Sequence, residues 1–350
     1  MAFTTIAKPS VHFDCPTWTG SDSTTTITGM GFKPDMLWIK NYSGTGSPVI
    51  NNSTGGTASN WIMDNAVHDT GTYVASYTSD GFTLTGNKAE TNDASDSYVG
   101  ACWKANGGTT ASNSDGATAS VVQANTTSGV SVVTYTGTGS ATTLGHGLGA
   151  VPKIIITKSL TTADWGGIFN GSTIYHTDPA TDYQQVAQGA STLTDSDTVW
   201  NDTAPTSTVF SVKSSTLSNK SSDSYVAFCF AEVQGFSKFG YYSGTGNVAG
   251  TKVYCGFRPK YVLIHSTTTG DDWAAKISGL TGYGLGGKRT RMVRYNSTTC
   301  QTSANIQFES NGFRNATTST FCNQENTKYF YMAFAEMPMV GTNGTIALAT

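Results

Sequence analysis

Charged side chains are scarce in this chain of 350 residues: Asp, Glu, Lys and Arg make up 12% of it, about half the usual share. Glu, Lys, Arg and Leu, which clothe surface helices, are correspondingly few, and this argues against a helical fold. With a formal net charge of −3 there is no basic face to displace the counterions of a polynucleotide, so no nucleic-acid partner is expected. No apolar run is long enough to span a bilayer, and the start, Met1-Ala-Phe-Thr-Thr-Ile, lacks the charged and apolar segments of a signal peptide. The expectation is folding in a cytoplasm, without membrane insertion. Six cysteines are present but no CxxC spacing, which argues against a zinc site.

Thr, Ser, Gly and Asn fill the chain instead, and Val, Ile, Thr, Tyr, Phe and Trp recur in short runs between turn residues. This is the composition of an all-β protein. Hydrophobic residues at 37% and aromatics at 11% suffice to fill several cores, so disorder is not expected.

The runs repeat. Tyr98-Val-Gly-Ala-Cys-Trp-Lys-Ala, Tyr225-Val-Ala-Phe-Cys-Phe-Ala-Glu and Tyr329-Phe-Tyr-Met-Ala-Phe-Ala-Glu are three versions of one segment. Thr17-Trp-Thr-Gly, Thr134-Tyr-Thr-Gly and Tyr241-Tyr-Ser-Gly are three versions of another. The expected architecture is three tandem β-sandwich-like repeats of roughly 100 residues, packed into one body. The divisions read as an N-terminal docking arm (1–14), repeat one (15–108), an inter-repeat loop with an added strand (109–129), repeat two (130–236), repeat three (237–340) and a loose tail (341–350).

Each repeat has a Gly- and Pro-containing turn before a short apolar run: Met36 to Ile39 after Pro34, Ile154 to Ile156 after Pro152, and Tyr261 to Ile264 after Pro259. Such a run reads as a strand covered on both faces, with the proline placed where a missing N–H does least harm. Trp61, Trp165 and Trp273 follow the runs, and their recurrence points to core packing. Cys102 and Cys229 share a position that is Ala333 in the third copy, so both are expected as buried thiols. Cys300 and Cys322 flank a hairpin, and their spacing is open to a disulfide or to two thiols.

Chemical motifs are sparse. Gly282-Tyr-Gly-Leu-Gly-Gly-Lys288 has phosphate-loop spacing, but Arg289 stands where Ser or Thr should hold magnesium. No Gly-x-Ser-x-Gly elbow occurs, and none of His12, His68, His146, His176 and His265 recurs in all three copies. Glu232 and Glu336 hold equivalent places, where the first copy has Ala105, and suit strand-end bracing. No catalytic residue, cofactor or metal is expected. Trp200 has no counterpart in the other copies, so Trp200, Asn201 and Asp202 form the candidate sugar-contact group. Arg258, Lys260, Lys288, Arg289, Arg291 and Arg294 make the third repeat locally basic, a candidate patch for docking an acidic neighbouring subunit.

Taken together, the opening Met1-Ala-Phe-Thr-Thr-Ile, the Gly31-Phe-Lys-Pro-Asp-Met-Leu-Trp-Ile-Lys stretch, Trp200-Asn-Asp-Thr-Ala-Pro-Thr-Ser-Thr-Val-Phe, and Tyr225 through Tyr242 with Gly256-Phe-Arg-Pro resemble a repeated domain of virion and tail-fibre-like proteins of bacteriophages, marine ones especially. The resemblance covers nearly the whole chain. It implies a non-enzymatic virion structural protein, made in the host cytoplasm, and brings no catalytic motif with it. Within that class the leading expectation is a tail-fibre or tail-tip component for host attachment. The alternatives are a capsid decoration protein and a polysaccharide depolymerase, for which Glu232 with Asp202 is the available carboxylate pair. Expected partners are other virion subunits, a host-surface glycan or protein, and further copies of the chain.

Overall fold

The computed structural model describes residues 4–66, 68–169, 171, 183–186, 194–268, 272–281, 290–295, 297–298, 301–302 and 304–338. These residues are overwhelmingly β-strand in antiparallel sheets; helix among them is confined to a 3-10 turn at Pro9–Val11 and an α-helical turn at Asp197–Trp200. Three large sheets are each built around a tyrosine-led strand: Ser97–Trp103, Ser224–Phe230 and Lys328–Pro338. On one side of it lies the apolar run, in strands Met36–Asn41, Ile154–Ser159 and Phe257–Ser266. The register is the same in all three sheets. Tyr98 faces Asn41, Tyr225 faces Ser159 and Tyr329 faces Ser266, while Trp103 faces Met36, Phe230 faces Ile154 and Phe334 faces Tyr261.

The apolar runs are buried on both faces because each large sheet is packed on both sides. Alternation sends Met36 and Trp38, Ile154 and Ile156, and Tyr261 and Leu263 inward to one core shared by the three sheets. Leu37 and Ile39, Ile155, and Val262 and Ile264 point outward into separate cores. There they meet small sheets formed by Thr25–Ile27 with Gly81–Leu84 and Val74–Thr78, by Thr142–Gly145 with Val209–Val212, and by Lys252–Tyr254 with Gly312–Asn315 and Ile306–Glu309. At the centre Trp103, Phe230 and Phe334, which hold one and the same register position, form an aromatic triangle with centroid separations of 5.8, 5.6 and 6.1 Å.

The tyrosine that opens each central strand is anchored in one recurring way. Tyr98 Oη accepts the Asp93 N–H at 2.9 Å and donates to the Ala89 carbonyl at 3.1 Å. Tyr225 accepts from Lys220 at 2.9 Å and donates to Thr216 at 2.7 Å; Tyr329 accepts from Gln324 at 3.0 Å and donates to Thr320. Three residues earlier Ser95, Ser222 and Asn326 turn the chain with φ of +70°, +67° and +59°. Six residues earlier Asn92, Asn219 and Asn323 are fully buried, their amides spanning neighbouring loops. Trp18, Tyr135 and Tyr242 stack on the three tyrosines at 5.7, 5.3 and 5.3 Å. The glycines of the Thr-Gly and Ser-Gly pairs follow from this: a Cβ on Gly20, Gly137 or Gly244 would stand 2.0, 2.1 or 2.1 Å from the carbonyl oxygen of Asp93, Lys220 or Gln324. The recurring Gly marks a close approach of two backbones.

The structure adds detail to some expectations and corrects others. Residues 4–14 of the expected docking arm pack on the chain's own body: Phe13 is buried, pairs with Trp103 in the first sheet and stacks on Phe334 of the third at 4.8 Å. The 109–129 segment supplies two strands, Ala111–Asn113 and Ser120–Asn125, at the edge of the second sheet. Pro259 stands inside its strand, at a register shift that absorbs the missing donor. Trp61, Trp165 and Trp273 are not one position. Trp61 lies on strand Gly56–Ile62, opposite Ile50, and Trp165 is 40% exposed. Trp61 and Trp273 are buried.

Cys102 and Cys229 are fully buried thiols in the outer cores, and burial pushes the Cys229 thiol up to about 12. Cys322 is likewise a buried thiol. Cys300, the glycine-rich loop at 282–288 and the 341–350 tail lie outside the described residues.

Candidate functional site

Trp200 ends the helical turn Asp197–Trp200, 1% exposed, with its ring edge-on to Phe169 at 5.8 Å. It is a core residue of the second outer core, not a surface on which a sugar ring can stack, and this corrects the sugar-contact assignment. Asn201 caps the turn in the left-handed conformation at φ +53°, its N–H donating to the Asp197 carbonyl, and Asp202 follows at φ +45°. Asn and Asp are suited to such backbone angles, so both residues have a local structural role.

The basic patch separates into paired cations. Arg258 Nε donates to Glu336 Oε2 at 2.8 Å, Lys260 lies 3.5 Å from Asp14, and Arg294 pairs with Asp272 while its guanidinium lies over the Phe321 ring at 5.0 Å. Arg294 is opposite Ala274, which is opposite Ile264. That is six residues along the strand from Arg258, or about 20 Å. These three cations therefore belong to two ends of the sheet and do not form one patch. Lys288 and Arg289 lie outside the described residues; Arg291 belongs to strand Thr290–Arg294.

Glu232 accepts the Phe239 N–H at 2.8 Å and pairs with Lys238 at 3.0 Å. It borders a cavity of about 500 Å³ lined by Thr4, Thr5, Thr126, Thr127, Val233 and Gln234. Asp202 does not line it; it acts on Lys213, beside the Asp197–Lys213 pair. The two carboxylates proposed for sugar cleavage are thus not brought together.

A different cavity, in the third lobe, combines apolar walls with a buried cation. Its space of about 640 Å³ lies between strands Ala274–Thr281 and Ile306–Glu309, lined by Ile277, Leu280, Ile306 and Phe308 with Lys276, Arg258, Ser278, Asn305 and Gln307. Local sequence explains the placement. Ala275 and Ile277 enter the central core, and strand alternation turns Lys276 to the other face. The pairing of this strand with Thr290–Arg294 is then interrupted between Lys276 and Thr281, where Gly279 adopts φ +80°. Gly279 itself lines the cavity, so the interruption falls at the site, where bulges are common.

Lys276 is 5% exposed and has no hydrogen bond or ion pair among the described residues. Burial alone pushes its amine down to about 8. Next to it Glu336 is held from two sides, by Arg258 Nε at 2.8 Å and by the Ser278 hydroxyl at 2.7 Å. Among the described residues Arg258 is engaged through Nε. Two cations against one carboxylate leave one net positive charge at the site. Sequence reasoning found Arg258 and missed Lys276, whose one signal is a lysine in the otherwise apolar Trp273-Ala-Ala-Lys-Ile stretch.

Among the described residues there is no cluster of three His, Cys, Asp or Glu side chains placed to hold a metal ion. No helix among them is long and apolar enough to cross a membrane.

The sheets and their cores define an all-β, sandwich-like protein. A family model described as a domain of unknown function (DUF7483) matches residues 8–338, and the chain belongs to that family. Comparison with curated proteins and with solved structures gave no match.

Proposed function

We propose that the chain is a non-enzymatic structural protein of a bacteriophage particle, a tail-fibre or tail-tip component that contacts the host surface. The observation that carries this reading is the aromatic triangle of Trp103, Phe230 and Phe334, which joins three sheets of equal register into one body. A single chain of three tandem sandwich units with a common core is rigid and presents its loops outward. That suits a part that transmits contact without changing shape. The resemblance of the repeated segments to virion and tail-fibre-like proteins supports the particle assignment. The non-enzymatic reading draws support from Glu232 and Glu336, each engaged by a cation and a further donor in a bracing role.

Immunogold electron microscopy of the source phage with antibody to this chain tests the proposal. Label at the distal tail is the expected result. Label over the head would replace attachment with capsid decoration, and unlabelled particles would overturn the virion assignment.

A further inference from the structure

We propose that Glu232 holds closed a strand-pairing edge of the third large sheet, and that this edge, once Glu232 releases it, pairs with the same edge of a second copy of the chain. The inference does not depend on where in a particle the chain sits.

Strand Ser237–Ser243 ends the third sheet. It pairs with Lys328–Pro338 on one side, and among the described residues no strand lies on the other. Its counterparts are marked by Trp18, Tyr135 and Tyr242, each opposite the tyrosine of its central strand. A bare edge of this kind is a template for another chain, and proteins blunt it. The three lobes do so in three ways. In the first, Pro16, which has no N–H, separates Phe13–Asp14 from Thr17–Thr19. In the second, Val130–Thr136 carries an added strand, Ser120–Asn125, in which Gln123 faces Val132. In the third, a side chain takes the place of that strand.

Gly244 N–H donates to the Thr327 carbonyl and Ala335 N–H to the Phe236 carbonyl, both at 2.8 Å. The even-numbered residues between Phe236 and Gly244 therefore bond to Lys328–Pro338, and Phe239 turns its N–H and carbonyl to the open side. Phe239 stands three residues before Tyr242, as Val132 stands before Tyr135. Glu232 Oε1 accepts the Phe239 N–H at 2.8 Å, while Oε2 pairs with Lys238 at 3.0 Å. The ends of the strand are held too. Ser237 N–H donates to the Val233 carbonyl at 2.9 Å, and the Ser243 carbonyl accepts the Thr251 hydroxyl at 2.7 Å. Control of the edge thus falls on its middle, at Phe239. The first copy has Ala105 where the second has Glu232, and the edge that follows Ala105 is the one covered by the added strand. Carboxylate and added strand replace one another.

The occupant follows from the strand itself. Antiparallel pairing about a two-fold axis uses the same surface on both copies, and centred on Phe239 it exchanges two N–H to carbonyl bonds between the two phenylalanines. Lys238, the one charged residue of Ser237–Ser243, then faces Gly240 of the second copy rather than a second lysine, so no like charges are opposed.

Sedimentation equilibrium of the purified full chain, wild type beside Glu232→Ala, tests the proposal at concentrations up to about 100 μM, a range suited to a weak contact below about 1,200 Å². Glu232→Ala is expected to reach twice the wild-type mass. Alanine already stands at this position in the first copy, so the variant should fold, and near-UV circular dichroism checks it. Glu232→Ser, too short to reach the amide, is measured in parallel with the same expectation. Glu232→Gln keeps an acceptor oxygen for the Phe239 N–H and should keep the wild-type mass. Adding Tyr241→Pro to Glu232→Ala places an edge-blocking proline on the same strand and should restore the wild-type mass. Wild-type mass for both short variants at the highest concentration, or a doubled mass in the proline variant, would overturn the proposal.

Discussion

Trp103 and Phe230 occupy the same register position in two different sheets, and their rings meet edge to face at 5.8 Å. Phe334 closes the triangle from the third sheet, and Phe13 lies over it in contact with both Trp103 and Phe334. Three sheets that contribute equivalent residues to one core cannot lose it separately. The chain should unfold in one cooperative transition, with calorimetric and van't Hoff enthalpies in agreement. Three resolved transitions would show that the lobes are thermodynamically independent. Phe230→Ala should cost about 3–5 kcal/mol, as for large-to-small core changes generally, without splitting the transition.

The tyrosine anchors make a second prediction. Tyr225→Phe removes a hydroxyl that serves the Lys220 N–H and the Thr216 carbonyl, leaving two backbone groups short of a partner. The expected loss is about 1–3 kcal/mol, read from urea denaturation. Tyr98→Phe and Tyr329→Phe should lose comparable amounts, because their partners are the same backbone groups five and nine residues upstream. Gly137→Ala should be at least as damaging, since its Cβ would meet the Lys220 carbonyl at 2.1 Å and the backbone must shift. A silent Tyr225→Phe would show that water replaces the phenol there.

How far the fold was legible depends on whether its cause was local. The run Ile154-Ile-Ile gives its strand and its burial on both faces because side-chain alternation is a property of the strand itself. The Tyr-led and Thr-Gly segments were legible as repeats, but their physical link was not. The Thr-Gly glycine answers to a carbonyl about 80 residues away, as in Gly137 and Lys220. Trp61 misled for a related reason: spacing aligns it with Trp165, yet it packs across to the second sheet, where a Cβ on Gly166 would stand 2.5 Å from its ring. The space that Trp61 takes is therefore left open by a glycine just before a strand of another sheet. Lys276 was illegible as a site because its meaning comes from the bulge at Gly279 and the distant strand Ile306–Glu309, neither of which its neighbours in sequence announce.

Trp200 invites a mutant that would be misread without the structure. Trp200→Ala removes a side chain 1% exposed from the second outer core, so about 3–5 kcal/mol of destabilisation is expected. Thermal melts of this variant should fall well below wild type, while any bound sugar should shift both proteins alike once folding is allowed for. An unchanged melting temperature combined with lost sugar binding would restore the residue to the surface role that its unique sequence context suggested.

The buried amine of Lys276 carries a pH signature whose sign is fixed by its direction of shift. Its value falls from 10.5 to about 8 on folding because burial disfavours the ammonium. Between those values the unfolded chain holds a proton that the folded chain has released, so stability rises with pH across that window. Below about 8 both states are protonated and the full desolvation cost is present. Lys276→Met removes the cost, and at pH 7 the variant should be more stable than wild type, by up to about 3 kcal/mol for a shift of this size. The advantage should shrink as pH climbs from about 8 through 10.5, and only above 10.5 does the wild-type amine become neutral in both states. Paired urea titrations at neutral and alkaline pH measure it, because the difference between the two proteins cancels the buried tyrosines and thiols that titrate in the same range. A difference independent of pH, or a less stable variant at pH 7, would mean that the amine already has a partner in the folded chain.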